Sequence, residues 1–597
     1  MQRNPSQLSA REFDVLIIGA GAFGAAAARD AALRGLRTAL IERSDFGGAT
    51  SAECFKMVHG GIRYLQHADV PRLRASSHER SALLRIAPHL VQPLPIAIPT
   101  YGHGRRGRAF LAAGACAYDL LTIDRNNGIS DRQRQIRRSR FLSRERLLDL
   151  FPHLRTADLS GAVVFEDGQM YNPARLVLAF VSAAVDAGAT ACNYVEATRF
   201  LWSGAAVCGV RARDRLSGEE FDVRARLTLN AAGPWADYLQ NDPQRFGTWR
   251  RPPFSRDAYF IVDRAPTSEY GVAVQGLSRD KDAVLGRATR HLFAVPWRDK
   301  TLLGVWHRLF PEFPDAAQVQ PDEVATWIGE LNAVYPALQL TPDEVCFANC
   351  GLVPFGETAT ATELSFGKES RLIDHRAAHG VSGLVSLVGI RFTTARADAA
   401  RALEMLLKQL PRAPRTAATA RLPIAGGDIE DFAAFEAQAL RTRPADVNPA
   451  SMRALLRNHG SRYMQVLRMQ RTAADAHAGA CIADSATLLA EIRYAMEQEM
   501  AVKLEDVVMR RTELAAGSHP GRHALEAAAM TMGQHLRWSD SRIREELSAT
   551  ERTLSRHLAR VTSAHLTPAA DAVPAAHGAM LANSRASVVA RVEARRM

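Results

Sequence analysis

A chain of 597 residues, 47% hydrophobic and 23% charged, has room for two or three packed domains and is too apolar to be a disordered one. Seven cysteines at irregular spacings, with no CxxC pair, argue against a disulfide scaffold or a thiolate metal centre and for a reducing compartment; Cys346 and Cys350 read as structural. The net charge of +12 is unevenly spread, and no basic stripe is interleaved with aromatics, which argues against nucleic acid as a partner.

The N-terminal stretch "MQRNPSQLSAREFDV" has no apolar core, so no signal peptide is expected. The following "FDVLIIGA" is a short apolar run ending at glycine and predicts a buried strand. "AFGAAAARDAALRG" predicts a helix of small residues stopped by Gly35, and "LRTALIER" a second strand with Glu42 at its end. Gly19, Gly21 and Gly24 occupy the turn between strand and helix, and Glu42 follows Gly24 by eighteen residues. Strand, helix, strand and acidic residue are thus in register for a dinucleotide fingerprint. Its glycines let the backbone approach a pyrophosphate at the helix N-terminus, while Glu42 accepts from the adenosine ribose hydroxyls. This unit alone does not separate NAD from FAD.

Residues 49 to 67 follow as "ATSAECFKMVHGGIRYLQH". From Tyr101 to Arg146 the chain carries eleven arginines against four acidic residues, beside the apolar stretch "AFLAAGACAYDLL" that starts at Ala109. That stretch is too short to span a bilayer. The segment reads either as a solvated face or as a patch that leans on an anionic membrane. "YNPARLVLAFVSAAVDAGA", "NAAGPWAD", "FAVPWRDKTLLG" and "LVSLVGIRFTTARADAARALEML" come next, then "HGSRY" and "AEIRYAMEQEMAVKLEDVVMRRT". The last has helix formers throughout and neither Gly nor Pro, so residues 490 to 512 predict one helix. From about Thr567 an Ala-rich tail is expected to be mobile.

Lys56 and the run His59, Gly60, Gly61, Ile62, Arg63, Tyr64 and Leu65 resemble the second flavin-binding segment of FAD-dependent glycerol-3-phosphate dehydrogenases and α-glycerophosphate oxidases. The later segments resemble that family in order, from about residue 12 to 560. The resemblance implies an α/β fold: a Rossmann-like flavin domain of glutathione-reductase type, an antiparallel-sheet substrate domain and a C-terminal all-helical domain. The expected boundaries are 12–410 for the oxidoreductase region, with substrate-domain pieces near 70–160 and 245–350, then 425–560 for the helices and 567–597 for the tail. The implied activity is oxidation of sn-glycerol 3-phosphate to dihydroxyacetone phosphate, by hydride transfer to flavin N5. FAD is the implied cofactor, with contacts from Gly19, Gly21, Gly24, Glu42, Thr50, Ser51, Lys56, Gly60, Gly61, Ala232, Gly233 and Gly389. Lys56 is expected at the flavin phosphates. Catalytic roles fall to Arg391, His59, Arg63 and Tyr64.

Departures from the family cluster at the substrate site. Arg391 stands where the family has a lysine, Val353 where it has a substrate-binding arginine, and "GVWH" (residues 304 to 307, with Trp306 and His307) where it has a hydroxyl- and acid-bearing stretch. "CFK", residues 54 to 56, replaces a run of serines. Either the cationic clamp is rebuilt from Arg391, Lys368, Arg371 and His307, or the substrate differs. An amine or amino-acid oxidase, whose site wants one arginine for a carboxylate, and a flavoprotein without catalysis stay open as alternatives. The bland readings are His59 packing under a loop, an ordinary ion pair at Arg63, Tyr64 as a core aromatic and His307 as a satisfied buried histidine. No motif selects the electron acceptor, a quinone or oxygen. A homodimer is the default assembly, and the expected location is cytoplasmic, with peripheral contact at the inner face of the cell membrane.

Overall fold

In the computed structural model, residues 1–104, 107–152, 154–247, 254–279, 289–354, 369–411, 416–471, 481–482 and 485–560 are described. Lys368 and the tail from Thr567 lie outside them.

The apolar run Phe13–Ile18 forms a strand at the centre of an eight-stranded sheet. It pairs in parallel with Glu220–Asn230 on one side and Thr38–Ile41 on the other. Leu384–Val388 extends the parallel set beyond Glu220–Asn230, and Arg371–Asp374 closes that edge in antiparallel. The helix Ala22–Leu33 follows the first strand, and its run of buried alanines lets it lie close on the sheet. Pro173–Asp186 and Ala395–Leu407 pack beside it in one apolar core. Both parallel neighbours of the first strand end beside the glycine turn, which is where α/β sheets place ligands.

A second, nine-stranded sheet runs 345–354, 254–262, 300–310, 289–297, 271–279, 91–101, 159–170 and 57–58, with 140–142 beside 159–170. Its pairs are antiparallel except that of 271–279 with 91–101. Side chains alternate across it with period two. Along Phe254–Val262, Ala258, Phe260 and Val262 join the core beneath helix Pro321–Val334, while Tyr259 and Ile261 face the C-terminal helices. The two-residue strand Met57–Val58 places the second flavin-type segment directly on this sheet.

The C-terminal part is helical, from Phe432–Arg441 to Asp540–Arg556. The single helix expected over 490 to 512 is not formed. Leu489–Gln498 stops, Met500 takes a positive φ of 56°, and the chain re-enters as a π-helical turn, Asp506–Arg511. Buried ion pairs hold the broken segment in place. Arg511 donates two hydrogen bonds to the buried Asp45 carboxylate at 2.6 and 2.7 Å, and Arg510 a third at 2.7 Å. Glu499 receives Arg175 at 2.6 Å. Burial alone would raise the Asp45 carboxyl, but Arg511 and Arg510 outweigh it and hold it low. Breaking such a pair from one side costs about 3–5 kcal/mol, so these contacts fasten the helices to the first sheet.

Candidate active site

The glycine turn is built by close approach. Gly19 has φ +94°, and a Cβ added there would lie 2.7 Å from the Ala231 carbonyl oxygen. At Gly24 the added atom would meet the Gly19 carbonyl at 1.8 Å, so helix and turn touch backbone to backbone. Ser51 reaches the helix start, where its Oγ accepts from the Ala22 N–H at 3.0 Å. Gly21 caps that helix with extended backbone, and a Cβ there would sit 2.9 Å from Ser51 Oγ. Glu42 ends the second strand with its carboxylate accepting from the Ala20 and Ser44 N–H groups at 2.7 and 2.9 Å. The Thr50 hydroxyl is anchored to the Leu352 backbone, accepting from its N–H at 3.1 Å. Ala232 N–H donates to Asn230 Oδ1 at 3.3 Å, and Gly233, at φ +56°, starts the next turn.

Three expected site residues, His59, Tyr64 and Arg391, converge one turn further along. Gly61 turns the chain at φ +87° into the 3₁₀ turn Ile62–His67, and Arg391 begins another, Phe392–Thr394. The Arg391 guanidinium donates to Tyr64 Oη at 2.7 Å and to Ser76 Oγ at 3.2 Å. Arg72 lies 4.9 Å from the Tyr64 ring centroid and Arg391 5.3 Å, so the tyrosine holds two cations. His59 N–H donates to Thr393 Oγ1 at 3.0 Å, tying the two loops together, while its ring is 48% exposed. Arg63 is exposed and close enough to His291 on the second sheet to add to its perturbation: burial first, then Arg63, pushes that imidazole down to about 4. Gly389 abuts Phe23 of the glycine-turn helix, whose ring an added Cβ would meet at 1.9 Å.

Several expectations need correction. Lys56 does not point to the glycine turn. Its Nζ is buried, donates to Tyr259 Oη at 2.6 Å and lies 4.7 Å from the Trp297 ring centroid. Desolvation there pushes the ammonium down to about 8. Lys56 lines a cavity of about 490 Å³ with Thr50, Trp235, Trp297 and Arg298, which His59, Tyr64 and Arg391 do not line. Gly60 is explained by protein: its N–H is taken by Asp167, and a Cβ would strike the Arg80 guanidinium at 2.0 Å. Arg371 and His307 do not join Arg391 in a clamp. Arg371 donates twice to Asp237, at 2.9 and 3.2 Å, and His307 Nδ1 is 2.7 Å from Asp257 Oδ1. Val353 is a buried strand residue opposite Ser255, and Trp306 stacks between Phe260 and Trp327 in the core.

Sequence reasoning missed the polar support beneath the site. Ser76 and Arg80 belong to the helix Val70–Ile86, whose buried residues include Ser76, Ser77, Glu79 and Arg80. Asp167 lies on the strand Leu159–Met170, beside Glu166 and Gly168. No spacing marks these residues, because their partners are far apart in sequence.

Residues 14–403 match the FAD-dependent oxidoreductase family, and residues 417–543 match the C-terminal domain of alpha-glycerophosphate oxidase. The chain belongs to the FAD-dependent oxidoreductase family. A glycerol-3-phosphate dehydrogenase of Synechocystis sp. is 29% identical over 556 residues, covering 91% of this chain and 97% of that one. The mitochondrial glycerol-3-phosphate dehydrogenase of Bos taurus is 30% identical, over 91% of this chain and 73% of its own. An alpha-glycerophosphate oxidase of Streptococcus pyogenes is 28% identical, over 93% and 96%. The fold matches the crystal structure of a Bacillus halodurans glycerol-3-phosphate dehydrogenase complexed with FAD, with a TM-score of 0.71, 24% identity and coverage of 93% of this chain and 98% of that one.

FAD is the cofactor of this family, and the glycine turn fits it. The backbone is bare at Gly19, Gly21 and Gly24, a helix of twelve residues points its N-terminus into the turn, and Ser51 and Glu42 flank it with a hydroxyl and a carboxylate. These are the groups that suit a pyrophosphate and a ribose diol.

Proposed function

We propose that the chain oxidises sn-glycerol 3-phosphate to dihydroxyacetone phosphate. The observation that carries this reading is the juxtaposition of a base and a cation. His59 presents a half-exposed imidazole, and Arg391, on a loop bonded to it through Thr393, presents a guanidinium already directed by Tyr64. The relatives that match along nearly the whole chain are glycerol-3-phosphate dehydrogenases and oxidases.

The residues divide the work. Arg391 holds the phosphate through its guanidinium, with the exposed Arg63 as a second charge. His59 takes the hydroxyl proton at its Nε2 as the carbinol carbon becomes a carbonyl. FAD, when bound, supplies the acceptor of the hydride that leaves that carbon, held by the glycine turn, Ser51 and Glu42. A quinone or oxygen would serve as the final acceptor of the two electrons that FAD would take up. Anaerobic addition of sn-glycerol 3-phosphate should bleach the flavin band of the purified protein. Bleaching by amino acids instead would reject the reading.

One observation favours a second reading. Val353, Arg371 and His307 add no phosphate-binding charge beside Arg391, since the first is apolar and the other two are engaged by Asp237 and Asp257. A single arginine suits a carboxylate, as in oxidation of a hydroxy or amino acid, and the same titration separates the two.

Peripheral membrane contact belongs to the proposal as well. The helix Arg108–Leu121 and the turn after it expose Phe110 (50%), Leu120 (71%) and Ile123 (71%), with Ala113 and Cys116 exposed between them. Arg108, Arg132, Arg137 and Arg138 are exposed in the same basic segment. Apolar side chains flanked by arginines suit an anionic lipid surface, as at the inner face of a cell membrane. Among the described residues no helix is long and apolar enough to cross a membrane.

A further inference from the structure

Beneath His59 lies a buried polar chain that no functional role yet explains. The His59 Nδ1 atom is 3.2 Å from Asp167 Oδ2. The other carboxylate oxygen, Oδ1, accepts from the Gly60 N–H at 2.6 Å and from the Arg80 guanidinium at 3.1 Å. Arg80 has a side-chain exposure of 0% and also donates to Tyr118 Oη and to the Glu166 carbonyl, both at 2.9 Å. Asp167 is buried, with a side-chain exposure of 3%, while the ring it touches is half open to solvent.

An ionised carboxylate can only accept hydrogen bonds, so the Nδ1 of a neutral His59 must carry the proton. That leaves the Nε2 lone pair bare on the exposed side of the ring. We infer that Asp167 is a positioning residue: through its bond to Nδ1 it fixes the orientation and tautomer that let His59 Nε2 accept the substrate's hydroxyl proton. The inference deepens the proposed function and rests on that reading for the identity of the proton donor. Arg80 is the charged partner that holds Asp167 in its buried position. The helix that carries Arg80 also carries Ser76, which props Arg391. One helical turn therefore sets both the base and the anion-binding cation.

The geometry makes an unusually specific forecast for Asp167→Asn. Two donors, the Gly60 N–H and Arg80, converge on the Oδ1 position. The asparagine must place its carbonyl oxygen there, which turns its NH₂ towards His59 Nδ1. Nδ1 must then accept, and the proton moves to Nε2, where it blocks base catalysis.

The test uses FAD-loaded protein labelled with ¹⁵N-histidine, with His59→Gln to assign the resonance, at a pH where the ring is neutral. Wild type should show a protonated Nδ1 and a bare Nε2, and Asp167→Asn the reverse. The limiting rate of flavin reduction by sn-glycerol 3-phosphate should fall about a hundredfold or more in Asp167→Asn. The substrate concentration giving half that rate should change by no more than a few-fold. Tyr118→Phe, which removes one partner of Arg80, should keep the wild-type tautomer and lose only a few-fold in rate. A wild-type ring protonated at Nε2 overturns the inference even if Asp167→Asn fails to fold. So does an Asp167→Asn enzyme that reduces its flavin at the wild-type rate. If the tautomers behave as stated but sn-glycerol 3-phosphate never reduces the flavin, the positioning role stands and the substrate assignment falls.

Discussion

Replacing Lys56 with methionine tests the structure at the residue whose expected role it changed most. In the folded chain the ammonium is buried between Tyr259 and Trp297 and is pushed down to about 8 from an ordinary 10.5, chiefly by desolvation. Since one pKa unit corresponds to about 1.4 kcal/mol, the charged form costs about 3 kcal/mol of stability at neutral pH. The sign follows from proton counting. Between about pH 8 and 10.5 the unfolded chain still holds the proton that the folded chain has released, so wild-type stability rises through that window. Below pH 8 both states are protonated and the full cost is present. Methionine of similar length carries no such cost and leaves Tyr259, which burial pushes well above its ordinary value and out of this window. Loss of the lysine's hydrogen bond subtracts about 1 kcal/mol at every pH. The advantage of Lys56→Met over wild type should therefore shrink by about 3 kcal/mol from pH 7.5 to 10.5. Urea unfolding of both proteins at a series of pH values measures it. A difference that stays flat across the window would mean that Lys56 is solvated, and the aromatic box would be wrong.

Gly24→Ala should cost the protein its FAD, because the new Cβ would lie 1.8 Å from the Gly19 carbonyl and push helix from turn; the ratio of flavin to protein absorbance after purification reads this, and full retention would move the site elsewhere. Arg391→Ala should raise the KM for the anionic substrate by about a hundredfold, for a loss of about 3 kcal/mol from one charged hydrogen-bonding contact, and Arg391→Lys should restore part of it. Wild-type kinetics in both would place the pocket elsewhere. Leu120→Glu combined with Phe110→Glu should abolish sedimentation with anionic liposomes at low salt, while wild-type binding fades towards physiological ionic strength. Unchanged binding in the double variant would clear this helix of the role.

Much of the first domain was legible because its signals are local. The strand–turn–helix at Phe13 to Leu33 and the acidic residue ending the next strand are set by nearest neighbours, and the structure reproduces them. The grouping of His59, Tyr64 and Arg391 followed from family resemblance, since residues more than three hundred positions apart have no pattern linking them. What stayed hidden depends on tertiary contact. Lys56, in a segment that resembles a flavin-binding one, looks like a phosphate ligand until the sheet brings Tyr259 and Trp297 round it. Arg371 and His307 look like spare cations until folding supplies Asp237 and Asp257. The broken helix near Met500 carries strong helix formers, and the ion pairs to Asp45 and Arg175 that hold it in this form are foreseen by no local rule.

This flavoenzyme is expected to take a hydride from the carbinol carbon of sn-glycerol 3-phosphate. The measurement that tests this most directly is an anaerobic single turnover of the FAD-loaded protein, with substrate carrying either hydrogen or deuterium at that carbon. The flavin band should bleach, one dihydroxyacetone phosphate should form per flavin, and deuterium should slow both together. A flavin that stays oxidised with this substrate, while an amino or hydroxy acid bleaches it, would reject sn-glycerol 3-phosphate as the hydride donor.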